Sequence, residues 1–522
     1  MTSGRARSAA FLVGAGIFLS RIAGLVRQKV FAYYFGTSLA ADAFNAAFRI
    51  PNMLQNLFGE GVLSASFIPE YAGLIAREKK EEAGKLAGAV IAALSLVSAI
   101  LVLLGVLLAP ALVAGIAPGF TGEKRELTIQ LTRILFPGAG LLVFSAWCLG
   151  ILNSHRKFFL SYTAPVVWNF AMIATLLWFG GGVPLPRLAA ILAWGSVAGS
   201  ALQFGVQLPL VLKLVNHLRP RFDFSSESSR NVFRNFVPTF VARGVVQISA
   251  FIDSFIASWL PTGAVATLAY AQVLYTLPVS LFGMAVSAAE LPVMSSATGT
   301  IEEVATYLRG RLDGGLQRIA YFIIPSVIAF LALGDVVSAA LYESGRFTRS
   351  DSVWIWQILA GSTIGLLAST WGRLYSSTFY ALKDTRTPLR YAAIRVALNS
   401  VLGYVAALHL PGWLGLEPRW GVAGLTAASG LSAWIEFALL RREMTARIGK
   451  TSIPAAFTVR LWLSALLAAG IAWGFKLGLE GPHTVWIALV ILGAYGISYL
   501  LITTILGVPE AVGLTERLRR RL

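Results

Sequence analysis

Hydrophobic residues run through this chain in long blocks separated by short polar connectors. A helix that crosses a bilayer needs about 20 consecutive, mostly apolar residues. Blocks of that kind lie near 8–34, 40–74, 84–115, 125–153, 158–180, 186–215 and 232–260, and again near 264–297, 315–342, 350–381, 387–409, 420–441, 457–479 and 483–507. The pattern predicts an all-α polytopic membrane protein with about 14 transmembrane helices.

Polar residues inside these blocks are few, and they concentrate in the first two. Ser20, Arg21 and Arg27 fall in the first block; Asp42, Asn45, Arg49, Asn52, Gln55, Asn56 and Glu60 fall in the second. Asp42, Asn45, Arg49, Asn52, Asn56 and Glu60 are spaced by 3, 4, 3, 4 and 4, which makes one stripe on a helix of 3.6 residues per turn. Pro51 can kink its middle. Ser20 and Arg27, seven apart, share a face of the first helix. A charge at bilayer depth costs at least about 2.5–3.5 kcal/mol, so such residues turn toward a cavity or toward one another. A cavity with a net positive lining implies an anionic ligand, whereas a polar seam between helices would need none.

Composition agrees with the pattern. The 522 residues are 56% hydrophobic and 13% charged, with mean hydropathy +0.71, against about 25% charged in a soluble domain. The lone Cys148 excludes an intrachain disulfide framework, and four His with one Cys argue against a zinc site. The first block carries Arg21 and Arg27 and lacks a small-residue cleavage pattern, so it is expected to remain as a span. The net charge of +18 is placed in alternate loops, among them 77–85, 156–157, 213–234, 309–311, 383–390 and 441–450. Both ends join that set, which by the positive-inside rule puts both termini in the cytoplasm and requires an even number of spans. These basic loops read as topology determinants that touch anionic lipid, and nothing supports a nucleic-acid partner.

The longest polar connector, between the sixth and seventh blocks, divides the chain. The expected organisation is an N-terminal lobe over 1–216, a cytoplasmic linker over 217–231, a C-terminal lobe over 232–450, and two further helices with a basic tail over 451–522. A weak repeat accords with two halves: LFGEGVLSASFIP at 57–69 resembles LFGMAVSAAELP at 281–292. Paired repeats are a common transporter plan. No Walker A, GxSxG or HExxH sequence occurs, so transport is expected rather than bond-making. In the second half, Arg243 and Asp253 share a helix face ten residues apart, and Glu290, Asp335 and Arg373 lie in later blocks.

At these residues the chain resembles the MurJ (MviN) family of lipid II flippases, within the multidrug/oligosaccharidyl-lipid/polysaccharide exporter superfamily. The matching blocks are SRIAGLVRQ (20–28), FGTSLAADAFNAAFRIPN (35–52), LFGEGVLSASFIP (57–69), QISAFIDSFIASWL (247–260) and FYALKDTRTP (379–388). The resemblance implies two six-helix lobes related by a pseudo-two-fold, plus two helices that form a groove for a polyprenyl tail. It implies that undecaprenyl-pyrophosphate-linked peptidoglycan precursor moves from the inner to the outer leaflet of the bacterial inner membrane. Ser20, Arg21 and Arg27 match first-helix positions of the family, and Asp42, Arg49 and Glu60 match second-helix positions. Two expected cavity arginines are replaced, by Gln55 and Val273, and Gln28 stands where an acidic residue follows the second arginine. Arg243 is the expected substitute for the missing eighth-helix arginine.

The reading is therefore a non-enzymatic flippase working by alternating access, with a cationic cavity lined by Ser20, Arg21, Arg27, Asp42, Arg49, Asn52, Gln55, Asn56, Glu60 and Arg243. No cofactor is expected. Coupling to sodium, to protons or to the membrane potential stays open, with Asp253 and Asn399 as a weak pair for a cation. Membrane lipids and cell-wall synthesis proteins are candidate partners. A flippase for another polyprenyl-linked oligosaccharide and an ion-coupled drug efflux pump are the alternatives, although a pump for cations should have an acidic cavity.

Overall fold

Apolar blocks with internal prolines and glycines become helices throughout the chain, because in lipid the backbone must bond within each segment. The computed structural model describes residues 3–58, 63–215, 218, 220–222, 227–479 and 484–519; within these, the side chains of 3–14, 50, 55, 64–65, 235, 237–250, 484 and 517–519 lie outside the description. The helices are α1 (Ser3–Phe35), α2 (Leu39–Asn56), α3 (Ser64–Ala76), α4 (Lys80–Leu107), α5 (Ala109–Ile116), α6 (Gly122–Ser154), α7 (Phe158–Phe179), α8 (Leu185–Leu214) and α9 (Glu227–Ala257). They continue as α10 (Ala264–Pro278), α11 (Ala285–Ser295), α12 (Ile301–Tyr342), α13 (Arg349–Ala381), α14 (Arg386–Leu408), the short α15 (Leu410–Trp413), α16 (Gly421–Ile448), α17 (Ala455–Gly478), α18 (Thr484–Ile505) and α19 (Pro509–Arg519).

Among the described residues, eleven helices are long and apolar enough to cross a membrane. α1, α2 and α9, which carry Arg21, Arg27, Asp42, Arg49 and Asp253, are helical but outside that set. One expected single span is broken: the block 84–115 divides into α4 and α5. The block 40–74 holds α2 and α3, with residues 59–62 outside the description, and the block 264–297 is one span made of α10 and α11. α10 and α11 are joined by a π-helical stretch, Val279–Met284. Leu57, Phe58 and Leu63 are also π-helical, so both copies of the LFG repeat loosen the helix.

The chain forms two compact units, Met1–Ala266 and Thr267–Leu522. In the first, α6 packs against α2, α4 and α8, α7 against α1 and α8, and α3 against α9. The core of this unit gathers Phe58, Phe67, Tyr71, Trp147 and Ile151, all nearly inaccessible. Ser145 Oγ accepts from both Gln203 and Gln207 at 2.9 and 2.6 Å, a buried polar tie between α6 and α8.

In the second unit α13 lies between α12 and α16, and α14 packs on α16. α13 and α16 meet through glycines: a Cβ on Gly365 would stand 2.4 Å from the Cα of Gly430. Small residues let two backbones approach this closely and gain contact that lipid cannot supply. α17 and α18 dock on α12 by polar contacts, one of which answers a proline. Pro325 has no N–H, so the carbonyl of Tyr321, four residues earlier, lacks its helical donor. Tyr499 Oη supplies one at 2.7 Å. Tyr495 Oη donates to the Pro325 carbonyl at 2.8 Å, and Trp473 Nε1 to that of Ala332 at 3.0 Å. Lys476 Nζ bonds both oxygens of Asp335 at 2.9 Å, and Arg349 bonds the same carboxylate.

The FYALKDTRTP block is a structural joint. Lys383 takes φ +60° at the end of α13, and the Asp384 carboxylate accepts from the N–H groups of Arg386 and Thr387 at 3.0 Å and from Thr387 Oγ1 at 2.7 Å. Arg447 reaches the same carboxylate at 2.8 Å and lies over the Phe379 ring. Hydrogen bonds from Thr387, with help from Arg447, hold the Asp384 carboxyl down at about 2.

Candidate functional site

The first unit contains an arginine site built from three helices. Arg27 sits on α1, half-buried, and its Nε donates to Asn169 Oδ1 on α7 at 2.9 Å. Asn169 is itself fixed, because its Nδ2 donates to the Pro165 carbonyl at 2.9 Å. The Arg27 guanidinium lies 5.0 Å from the Trp168 ring centroid, within the range of a cation–π contact. Trp168 is held in turn: its Nε1 donates to the Ser196 carbonyl at 3.2 Å, and Phe48 of α2 stacks on it at 5.6 Å. Arg49, the next residue on α2, is half-buried, and Asp253 of α9 is the acidic group whose field acts on it. A planar guanidinium bonded through Nε and stacked on an indole is held in a set plane. That geometry suits bidentate recognition of phosphate or carboxylate oxygens.

The stripe along α2 divides by environment. Asp42 is inaccessible, and its carboxylate is consumed by a latch. It accepts from the N–H groups of Gly263 and Ala266 at 2.7 and 2.8 Å, and it pairs with Lys124 of α6 at 2.5 Å. Those N–H groups belong to the first turn of α10, where an anion complements the helix dipole. Lys124 also lies 4.2 Å from the Phe120 ring centroid. Beside this latch, Gly119 N–H donates to Ser258 Oγ at 3.1 Å, and a Cβ on Gly119 would strike the Ser258 carbonyl oxygen at 2.4 Å. Asn45 bonds back to the Ala41 carbonyl at 2.8 Å. Asn52 and Asn56 are exposed, as is Arg21, while Ser20 is half-buried. The Gln55 and Arg243 side chains and the whole of Glu60 lie outside the described residues.

Several charges of the second unit's helices are paired among the described residues. Glu290 is buried and accepts from Arg311 at 2.8 Å and from Arg318 at 3.4 Å. Arg395 pairs with Glu436 at 3.0 Å, and both act electrostatically on Arg373. Asn399 is buried on α14, in the second unit, and Asp253 belongs to the first. No group of three or more His, Cys, Asp or Glu suited to a metal ion occurs among the described residues.

Sequence reasoning missed Asn169, Trp168 and Lys124. A single Asn beside a Trp in the apolar block 158–180 is the signal that could have revealed the first two. Lys124 reads as a loop charge because it opens the sixth helix.

Comparison with known proteins adds an independent line. A family model described as lipid II flippase MurJ matches residues 31–492. A probable lipid II flippase MurJ of Rhizobium tropici is 32% identical over 430 residues, 81% of this chain and 78% of that protein. A lipid II flippase MurJ of Burkholderia cenocepacia is 31% identical over 461 residues, 87% of each chain. Among solved structures, a lipid II flippase MurJ in an inward closed conformation superposes with TM-score 0.77 at 25% identity, covering 95% of this chain and 98% of that one. An inward-facing multidrug resistance MATE family transporter shares the fold, with TM-score 0.66 at 20% identity over 83% of this chain and 96% of its own.

Proposed function

The chain belongs to the lipid II flippase MurJ family, and from that premise we propose that the arginines of α1 and α2 receive the pyrophosphate of its lipid-linked substrate. It is a transporter rather than an enzyme, and it moves the peptidoglycan precursor across the membrane. The observation that supports the site is the Arg27–Asn169–Trp168–Phe48 chain of contacts, which orients one guanidinium beside the helix that carries Arg49. A pyrophosphate has roughly two negative charges and several acceptor oxygens, and guanidinium forks satisfy them better than point charges do. Arg21 is the third cation of the set. Asp42 is a structural group in this scheme, a latch on the start of α10 that must open or hold as the site alternates in access.

The finer architecture follows the same reading. Fourteen spans in two six-helix lobes plus α17 and α18 would carry both termini in the cytoplasm, with transport from the cytoplasmic to the outer leaflet. The apolar outer faces of α17 and α18, with Leu467, Trp473, Leu489 and Ile497 exposed, suit an isoprenoid tail that stays in lipid. Arg243 is the candidate for the charge lost at Val273, and Arg243→Ala should lower transport if it serves there.

The direct test is binding. Undecaprenyl pyrophosphate should bind the purified protein, and Arg27→Ala or Arg49→Ala should weaken it at least about tenfold, the size of one lost charge-assisted contact. Unchanged affinity in both variants would remove the arginines from the site.

A further inference from the structure

The second unit has a cavity away from the arginine site. It encloses about 200 Å³ between α12, α13, α16 and the start of α17. Its floor is apolar and aromatic, from Leu316, Trp371, Tyr375 and Phe437, all buried. Its rim is polar: Arg441, Thr451, Ser452 and Thr458. The segment that forms this rim joins α16 to α17 and is fastened at several points. Tyr375 Oη and Thr451 Oγ1 are 2.5 Å apart, Arg441 donates to the Thr451 carbonyl at 3.4 Å, and Ser452 N–H donates to Asp313 Oδ1 at 3.0 Å. Arg309 lies against Gly449, where a Cβ would stand 2.8 Å from its Nη1. Asp313, beside the rim, is thus engaged by Ser452 and flanked by Arg309 and Arg441.

We propose that this cavity is a binding site for an anionic glycerophospholipid, its phosphate at Arg441 and its glycerol and first acyl carbons on the aromatic floor. Three features support that class of ligand. The rim adjoins the basic stretch 441–450 at the end of α16, which the positive-inside rule places at the cytoplasmic leaflet. Basic pockets between helices on that side attract anionic head groups. The cavity is also too small for a drug-sized molecule, but it suits the joint of a lipid where a charged group meets chains that continue into the bilayer. Arg441 is exposed, and its hydrogen bond to the Thr451 carbonyl is long, so its guanidinium can turn to a phosphate while Asp313 keeps its bond from Ser452. A lipid seated there would brace α17 on α12, α13 and α16. The site is separate from transport chemistry at Arg27 and Arg49, so its test does not depend on the flippase assignment.

The experiment is native mass spectrometry and thermal unfolding of the delipidated full chain with phosphatidylglycerol, phosphatidylcholine or inorganic phosphate. Phosphatidylglycerol should bind and raise the unfolding temperature, phosphatidylcholine should do so weakly, and phosphate alone should do neither. Arg441→Gln should weaken phosphatidylglycerol binding about tenfold. Thr458→Phe, which fills the cavity and keeps the charge, should weaken it as well. Equal stabilisation by inorganic phosphate would make this a free-anion site and overturn the lipid assignment. Phosphatidylglycerol binding that neither variant changes would place the lipid elsewhere and overturn the site.

Discussion

At the scale of single residues, the proposed site depends on how a guanidinium is held. Arg27→Lys keeps the charge but loses both the Nε bond to Asn169 and the flat stack on Trp168. It should therefore lose transport nearly as fully as Arg27→Ala, whereas a simple charge requirement would let lysine rescue; a vesicle flipping assay separates the two. Asp384 gives a pH signature outside the membrane. Its pKa is lowered to about 2 by bonds from Thr387 and then Arg447, so its contribution is present above the unfolded value near 4 and is lost as pH falls through about 2. Asp384→Asn should lower the unfolding temperature at pH 7, and the gap should close as the pH falls from about 4 to about 2. A gap that persists at the acid end would show that the charge is not the source. Arg27 and Arg49 could be singled out in the sequence because a charge in an apolar run stands out. Asn169 and Trp168 were hidden, because an amide and an indole in a membrane helix are ordinary until a partner 142 residues away is in view.

At the scale of elements, the controlling contacts are close approaches and latches. Gly430→Val would push against Gly365 and should destabilise the α13–α16 packing by about 1–3 kcal/mol, as overpacking does. Denaturant unfolding of the variant in detergent measures it, and a neutral result would mean the helices can separate without loss. Asp42→Ala would strand Lys124, whose side chain is 11% accessible, and release two N–H groups of the α10 start. Breaking a buried pair on one side costs about 3–5 kcal/mol, and Asp42→Ala combined with Lys124→Met should recover part of it. Failure of the double variant to recover would point to the N–H bonds as the main loss. Helix positions were largely readable from hydropathy, since lipid leaves the backbone few choices. The corner between Leu107 and Ala109 and the π-helical turn within 264–297 were not, because an apolar block of constant composition announces neither.

At the scale of the whole molecule, the class of protein was legible in the sequence. Low charge, long apolar blocks and a surplus of arginine over acid in the first two blocks pointed to a membrane transporter of anions. The assignment to lipid II flippases rests on motif blocks spread over the chain and on the family match across 31–492. The Asp42–Lys124 latch could not be read in advance, since its four groups come from three distant stretches joined only by folding. The most direct measurement is the amount of lipid II exposed on the outer leaflet of cells depleted of their own flippase and expressing this chain. Wild-type protein is expected to restore exposure and growth, and Arg27→Ala and Arg49→Ala, present in the membrane at equal levels, are expected to restore neither. Full exposure of lipid II with both arginines replaced would contradict the placement of the pyrophosphate at this site.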